Sequence, residues 1–316
     1  MQKTSVHYIT IALDFAGQRI DNFLLTYLKG VPKTHIYRLL RKGEVRVNKK
    51  RIAPHYKLQA HDVVRLPPVT LPIKNAPSLP SKSLLTLLSE RVLYEDNNLL
   101  IINKPAGIPV HGGSGVKIGI IEALRYLYPK IPHLELAHRL DADTSGCLLL
   151  AKKRSILKEL HALLRSGEVG KYYLALTRGQ WKKSALRVEA PLRKNHLKSG
   201  ERIVRVDEKE GKTALTVFSP VEVFTQATLV EAALHTGRTH QIRVHAQYRR
   251  HCIAGDPKYG DKEFNKTIRE YGLKRLFLHA YRLEFILPSE QQKIKIKAPL
   301  DDDLQTCLTA LRKNQK

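Results

Sequence analysis

The chain has 316 residues, 42% of them hydrophobic, and its 55 Lys+Arg against 29 Asp+Glu give a formal net charge of +26 at pH 7. That length accommodates a sizeable core in one large domain or, by the length prior, two. The charge excludes an ordinary enzyme of neutral or cationic metabolites and points to a polyanion, because Lys and Arg that neutralise phosphates release condensed counterions. An anionic membrane is the competing partner, but it would call for a basic amphipathic helix or a lipid anchor, and neither is visible. The first residues, MQKTSVHYITIALDFAG, lack a signal pattern, and the apolar runs LLII (99–102) and CLLLA (147–151) are too short to span a bilayer. A cytoplasmic protein without a membrane partner is expected. Cys147, Cys252 and Cys307 are odd in number and widely spaced, which argues against a disulfide framework or a Cys-rich zinc site; Cys147 and Cys307, with apolar neighbours, read as core filler.

In chain order, Ile20, Phe23, Leu24, Tyr27 and Leu28 repeat at helical spacing and predict an amphipathic helix. A second helix follows, entered through Pro32 with Thr34 as the cap, burying Ile36, Leu39 and Leu40, and closed by Gly43. The strands EVRVN and DVVRL complete a small α+β module. Residues 29–51 of it carry nine basic side chains, Lys29, Lys33, Arg38, Arg41, Lys42, Arg46, Lys49, Lys50 and Arg51, against one acid, Glu44. A solvated face is the bland explanation of such a run. Here the basic residues occupy a helix, a turn and a strand that fold into one continuous surface, which favours nucleic-acid binding. The segment from Leu66 to Ser83 holds five prolines and reads as a tether.

Beyond it, RVLYEDNNLLIINKP predicts a hairpin turning at Asp96–Asn97–Asn98, and Lys104–Pro105 leads into the flexible stretch VHGGSG. CLLLA is a buried strand, Ile156, Leu157, Leu160, Leu163 and Leu164 form a helix that stops near Gly167, and KYYLALTRG is another strand. TLVEAALHTGRTHQIRVHAQY predicts a strand, a glycine turn and a helix beginning near Thr239.

Several chemistries fail on spacing. His235, His240 and His245 recur every five residues, a step of about 140° on a helix, so no regular element lets them share one metal ion. With no HExxH and no CxxC, no metal site is expected. HGGSG lacks the lysine of a nucleotide P-loop, and no GxSxG elbow supports a serine triad. The carboxylates of AHRLDADTSG remain. Asp141, between basic neighbours and ahead of a small-residue turn, fits either an ionised group at the mouth of a cleft or a plain turn aspartate; Asp143 fits the turn role better, and His138 reads as structural.

These residues resemble a known family. HRLDADTSG is similar to the HRLD-x-x-TSG signature of RluA-type RNA pseudouridine synthases, and YEDNNLLIINKPAGIPVHGGSG, KYYLAL, HTGRTHQIRVHA and GDPKYGD agree in order. QRIDNFLLTYLKGVPKTHIYRLLRKGEVRVNKKRI resembles the S-four type of RNA-binding domain. Together they imply an α+β protein: an RNA-binding domain over 1–66, a proline-rich linker over 67–83, and over 84–316 a catalytic domain built on a mixed, mainly antiparallel sheet with flanking helices. The implied reaction needs no cofactor. Uridine's glycosidic bond is cut, the base turns over, and its carbon five joins the sugar. By the match, Asp141 is the catalytic carboxylate, which either attacks the sugar carbon or removes a sugar proton. Tyr173 resembles the tyrosine that stacks on the target base, Arg243 the basic residue paired with the aspartate, and Arg139 the arginine that helps extrude the uridine; simple phosphate contact is the other role open to Arg139. Ala142 departs from the basic residue frequent at that position. The branch that GERIVRV and RLFLHA fit implies large-subunit ribosomal RNA as partner, and nothing demands more than a monomer. The competing functions are a non-catalytic RNA-binding or ribosome-assembly factor, and a glycoside hydrolase, which would need a second comparable acid.

Overall fold

The computed structural model describes residues 2–28, 30–71, 79–113, 118–182, 184–196 and 202–314. They fall into two compact units, Met1–Ser78 and Leu79–Lys316.

The first unit comprises β1 (Gln2–Lys3), β2 (His7–Thr10), α1 (Ile20–Tyr27), α2 (Lys33–Lys42), β3 (Arg46–Val47), β4 (Lys50–Arg51), β5 (Val63–Leu66) and β6 (Thr70–Leu71). Its antiparallel sheet runs β2-β5-β3-β4, and β1 pairs with β6. Strand alternation turns Val47, Val64 and Leu66 inward, where Ile20, Phe23 and Leu24 of α1 and Ile36, Leu39 and Leu40 of α2 cover them. Burying each such side chain stabilises the unit by about 1.5–3 kcal/mol. Two details differ from expectation. Tyr27 is half exposed, and Leu28, at the end of α1, takes the buried place. Pro32 rather than Thr34 precedes the first turn of α2 and makes no side-chain cap; its fixed φ already prepares helix entry, so Thr34 lies within the helix. Gly43, with φ +69°, ends α2 in the left-handed conformation expected of it. The proline-rich segment is in a strand at Thr70–Leu71 and in a helix from Lys82; its residues 72–78 lie outside the described residues, as does Lys29.

The second unit comprises α3 (Lys82–Ser89), β7 (Val92–Glu95), β8 (Leu99–Lys104), α4 (Ile120–Leu127), β9 (Glu135–Leu136), β10 (Ser145–Ala151), α5 (Arg154–Ser166), β11 (Gly170–Arg178), β12 (Leu186–Glu189), β13 (Leu192–His196), β14 (Arg202–Val206), β15 (Leu215–Val223), β16 (Ala227–Leu234), α6 (Gln241–Tyr248), α7 (Lys262–Glu270), β17 (Leu278–Leu287), β18 (Gln292–Lys297) and α8 (Asp302–Lys313). Its large sheet runs β12-β15-β16-β11-β17-β10-β8-β7, with β18 on β17 and β9 on β10, and β10–β17 is its parallel pair. The sheet is mixed and mainly antiparallel. Helices cover both faces: Leu100, Ile102, Leu148 and Leu150 pack with α4, while Leu99, Ile101, Cys147 and Leu149 pack with α5. All seven residues of β10 are therefore buried, which is why CLLLA shows no polar alternation. Gly146 is needed there. Its φ is +109°, and a Cβ would lie 2.3 Å from the carbonyl oxygen of Ala280 on β17. The last two residues of VHGGSG, 114 and 115, lie outside the described residues.

Candidate active site

Asp141 lies in the loop between β9 and β10, and that loop is fixed on both sides of it. Ala137 donates its N–H to the Leu149 carbonyl, and His138 Nε2 accepts the Leu149 N–H at 3.1 Å, which gives His138 a structural task. Burial pushes this imidazole down to about 4. Leu140 is anchored in the core, and the Thr144 N–H closes the turn onto the Asp141 carbonyl. The next carbonyl, of Ala142, accepts from Lys104 Nζ at 2.9 Å and from the Gly107 N–H. Lys104 is wholly buried, and burial lowers its pKa to about 7 against the pull of Asp143 and Asp141. Among the described residues no side-chain hydrogen bond from Asp143 holds the turn, the role the sequence suggested; the backbone and Lys104 hold it, and the Asp143 carboxylate stays exposed in the field of that lysine.

Held this way, the Asp141 carboxylate projects into a cavity of about 490 Å³ lined also by Arg139, Lys171, Tyr173, His240 and Arg243. A neighbouring hollow of about 420 Å³ shares Arg139, Asp141, His240 and Arg243 with it. Arg243 reaches Asp141 from α6: its Nη1 is 3.8 Å from Oδ2. Its tighter partner is Asp256, bound through Nε and Nη2 at 2.7 Å each. The fork is thus divided, one edge given to a fixed buried carboxylate and one nitrogen left for Asp141. Asp256 is itself held by the N–H groups of Lys258 and Tyr259. Burial would raise its pKa, but the Arg243 bonds outweigh that and lower it.

His240 supplies a second neighbour to the same oxygen, with Nε2 at 3.7 Å from Asp141 Oδ2. It precedes α6 in the left-handed conformation, φ 53°. The helix starts two residues later than Thr239 suggested because the Gln241 side chain accepts from Thr236 Oγ1 and the Arg238 N–H, keeping the glycine turn closed up to His240. Nδ1 of His240 meets the Tyr259 hydroxyl at 2.8 Å, and that hydroxyl already accepts the Val204 N–H. The Tyr259 proton is then free to be donated to Nδ1, which leaves the hydrogen of a neutral ring on Nε2, facing Asp141. Burial, helped by Arg243 and opposed by Asp141, lowers the His240 pKa and favours that neutral ring.

Tyr173, on β11, is 7% exposed and lines the cavity beside Asp141. Burial, then the Asp141 charge, raises its pKa and keeps the phenol protonated. Tyr172 turns to the opposite face, where Arg282 stacks on it at 3.7 Å. Lys171, on the Tyr173 face, also lines the cavity, and burial alone lowers its pKa. Arg139 is exposed where the two hollows meet.

Asp141, Tyr173, Arg243 and Arg139 thus line one cavity. His240 and Lys171 were missed as members of it, and Tyr259 and Lys104 as the supports of His240 and of the Asp141 loop. HTGRTHQIRVH did draw attention to His240, but only through a histidine spacing tested for metal. In the fold His235 and His240 both line the cavity, whereas buried His245 leaves them and bonds Thr216 Oγ1 and the Ala190 carbonyl. Among the described residues, no three His, Cys, Asp or Glu side chains are placed to hold a metal ion, and no helix is long and apolar enough to cross a membrane. In the first unit, Lys33, Arg38, Arg41, Lys42, Arg46, Lys49, Lys50 and Arg51 are all exposed.

The chain is similar to known proteins along most of its length. A family profile described as RNA pseudouridylate synthase matches residues 98–248, and an S4 domain profile matches residues 18–64. Ribosomal large subunit pseudouridine synthase C of Pasteurella multocida is 56% identical over 312 residues, covering 98% of this chain and 95% of that protein. The protein of the same name from Haemophilus influenzae is 55% identical over 313 residues, covering 99% and 97%. Among solved structures, human RNA pseudouridylate synthase domain containing 4 superposes with a TM-score of 0.61 at 28% identity, covering 73% of this chain and 96% of that one.

Proposed function

The chain belongs to the RNA pseudouridylate synthase family, and from that premise we propose that it isomerises uridines of large-subunit ribosomal RNA to pseudouridine, with Asp141 as its catalytic carboxylate. In the reaction the bond from uracil N1 to the sugar C1′ breaks, a bond from C5 to C1′ forms, C5 gives up its proton, and N1 carries one in the product. Atoms and electrons balance without an external oxidant or reductant. Addition of Asp141 to the sugar carbon and removal of a sugar proton both require the ionised carboxylate. Arg243 and His240 face one oxygen of the carboxylate, leaving the other to the substrate. Tyr173 offers a fixed, protonated ring against which the base turns over. The free uracil must be shielded from water and kept from escaping, a task for which the recessed cavity of about 490 Å³ gives walls and the bound RNA a cover. Arg139, exposed at its rim, fits the vacancy left in the RNA when the uridine swings out. The cationic first unit contributes affinity for the RNA backbone.

The observation that supports this most is the convergence on Asp141 Oδ2 of two nitrogens from one turn of chain, Arg243 Nη1 at 3.8 Å and His240 Nε2 at 3.7 Å, inside a cavity shared with Tyr173. Incubating the purified protein with unmodified large-subunit RNA and mapping pseudouridine chemically tests it. Wild type is expected to modify discrete uridines and Asp141→Ala to be inactive by at least about 10³-fold while still binding the RNA. Undiminished modification by Asp141→Ala would overturn the assignment.

A further inference from the structure

The first unit carries a second feature, on the face of its sheet turned away from α1 and α2. Tyr8 of β2 pairs with Arg65 of β5, Arg65 with Arg46 of β3, and Arg46 with Arg51 of β4. Paired residues project from the same face. The four side chains therefore form one row across four strands, about 14 Å long at the usual strand spacing. The alternate row, Ile9, Val64 and Val47, is the one packed on the helices.

This row is both ordered and unsatisfied. Arg65 Nη1 donates to the Glu44 carbonyl at 2.7 Å, Arg46 Nε to the Gly43 carbonyl at 3.2 Å, and Arg51 Nη2 to the Lys42 carbonyl at 3.3 Å. Each guanidinium is thus steered by the turn after α2, yet keeps other donors unpaired among the described residues. Beside them a hollow of about 690 Å³ is lined by Tyr8, Arg46, Asn48, Lys49, Val63 and Arg65, with no acid among them. Asp62, the acid next to Val63, is buried and accepts from Asn48, Tyr56 and the Gln59 N–H. Tyr8 is 65% exposed and has no hydrogen bond or ring partner among the described residues; Val63 beside it is 39% exposed.

An exposed aromatic ring next to planar, pre-positioned cations suits a ligand that alternates flat bases with anionic phosphates. We propose that this sheet face is a stacking subsite for single-stranded RNA: a base lies on the Tyr8 ring, and the adjoining phosphates meet Arg65, Arg46 and Lys49. It rests on the reading that the chain binds RNA, but it adds Tyr8, Val63 and Arg65 to the surface and makes binding depend on bases as well as charge.

The full chain with Tyr8→Trp tests it locally, since the natural tryptophan, Trp181, is buried in the second unit. A labelled single-stranded oligoribonucleotide and an abasic oligomer of equal length are titrated in, with binding followed by anisotropy and stacking by quenching of the introduced indole. Quenching that saturates with the base-bearing oligomer and is absent with the abasic one is expected. Tyr8→Ala should weaken binding of the base-bearing oligomer roughly 5- to 100-fold, and Tyr8→Phe should restore it. Binding without quenching, or equal quenching by both oligomers, overturns the subsite and leaves the RNA-binding reading standing. No binding of either oligomer overturns both.

Discussion

The two units use their cations in opposite ways. In the first, fourteen Lys and Arg face four Asp and Glu. Two of those acids are consumed inside: Asp21 is buried and bound by Arg19, Tyr37 and the Asn22 N–H, and Asp62 is buried in its own network. Most of the positive charge is thus left for a partner. In the second unit many arginines are paired at long range within the fold: Arg243 with Asp256, Arg275 with Asp301 and Asp303, Arg91 with Asp301, and Arg312 with Glu222. An arginine at a surface binds by being unsatisfied; an arginine in a site must first be fixed by an acid before it can position anything else.

That difference should show most strongly on removing an acid from the second unit. Asp256→Ala leaves the Arg243 guanidinium, 4% exposed, without its two short bonds. A buried charge stripped of its partner costs about 3–5 kcal/mol, so the unfolding midpoint should fall steeply and pseudouridine formation by at least about 100-fold. Asp256→Asn retains the shape and should lose less on both measures. If Asp256→Ala matches wild type in denaturant and in turnover, Arg243 is not held in the way described.

Acid should separate the units next. His279 is wholly buried, bonded to Ser145 Oγ and the Ala298 carbonyl, and burial holds its pKa at about 4 rather than 6.5. Because the folded value lies below the unfolded one, its contribution is fully present above pH 6.5 and lost as pH falls through the folded value near 4, roughly 3 kcal/mol in all. No histidine of the first unit is buried. Urea titrations followed by Trp181 fluorescence read the second unit alone and should show that loss between pH 7 and 4; a midpoint constant over this range contradicts it.

The contrast also explains what could be read from the chain. The basic run of residues 29–51 was legible because surface charge needs no partner, and β8, β10 and α5 were legible because burial imposes its own period on the sequence. Asp141 stood out by neighbouring charge and then by resemblance. The supports around it were not legible. Arg243 and Asp256 are thirteen residues apart, Lys104 reaches Ala142 across 38 residues, and Tyr259 reaches His240 across 19, all distances closed by the fold rather than by any local pattern. Thr34 and Asp143 erred in the other direction: a local rule offered each a cap or turn role that Pro32, and Lys104 with the backbone, already fill.

His240 tests whether the second unit's neutral groups position as its charged ones do. His240→Ala should lower kcat about 10- to 100-fold with little change in KM, whereas His240→Gln, which can still present an N–H, should recover part of it. Tyr259→Phe should act in the same direction on kcat and more weakly, since it removes the donor to Nδ1 but leaves the imidazole in place; unpairing the Val204 N–H should appear as a loss of stability instead. A fall in RNA affinity with kcat intact would make His240 a binding residue instead.

The smallest effects belong to the first unit, where Arg19 is held by Asp21 but the exposed lysines Lys33, Lys42 and Lys50 have no acid partner among the described residues, and none of them should matter much alone. Lys33→Ala, Lys42→Ala or Lys50→Ala should each leave folding within about 0.5 kcal/mol of wild type, as these side chains are exposed. For each one that meets a phosphate, the slope of log affinity for RNA against log salt should shrink by about one, so the three together should lose about three and weaken binding most at low salt. The slope is the decisive quantity, because a folding defect would reduce the active fraction equally at every salt concentration and leave it unchanged. An unaltered slope in the triple variant would place the phosphate contacts elsewhere and remove the charge asymmetry as the reason the first unit binds.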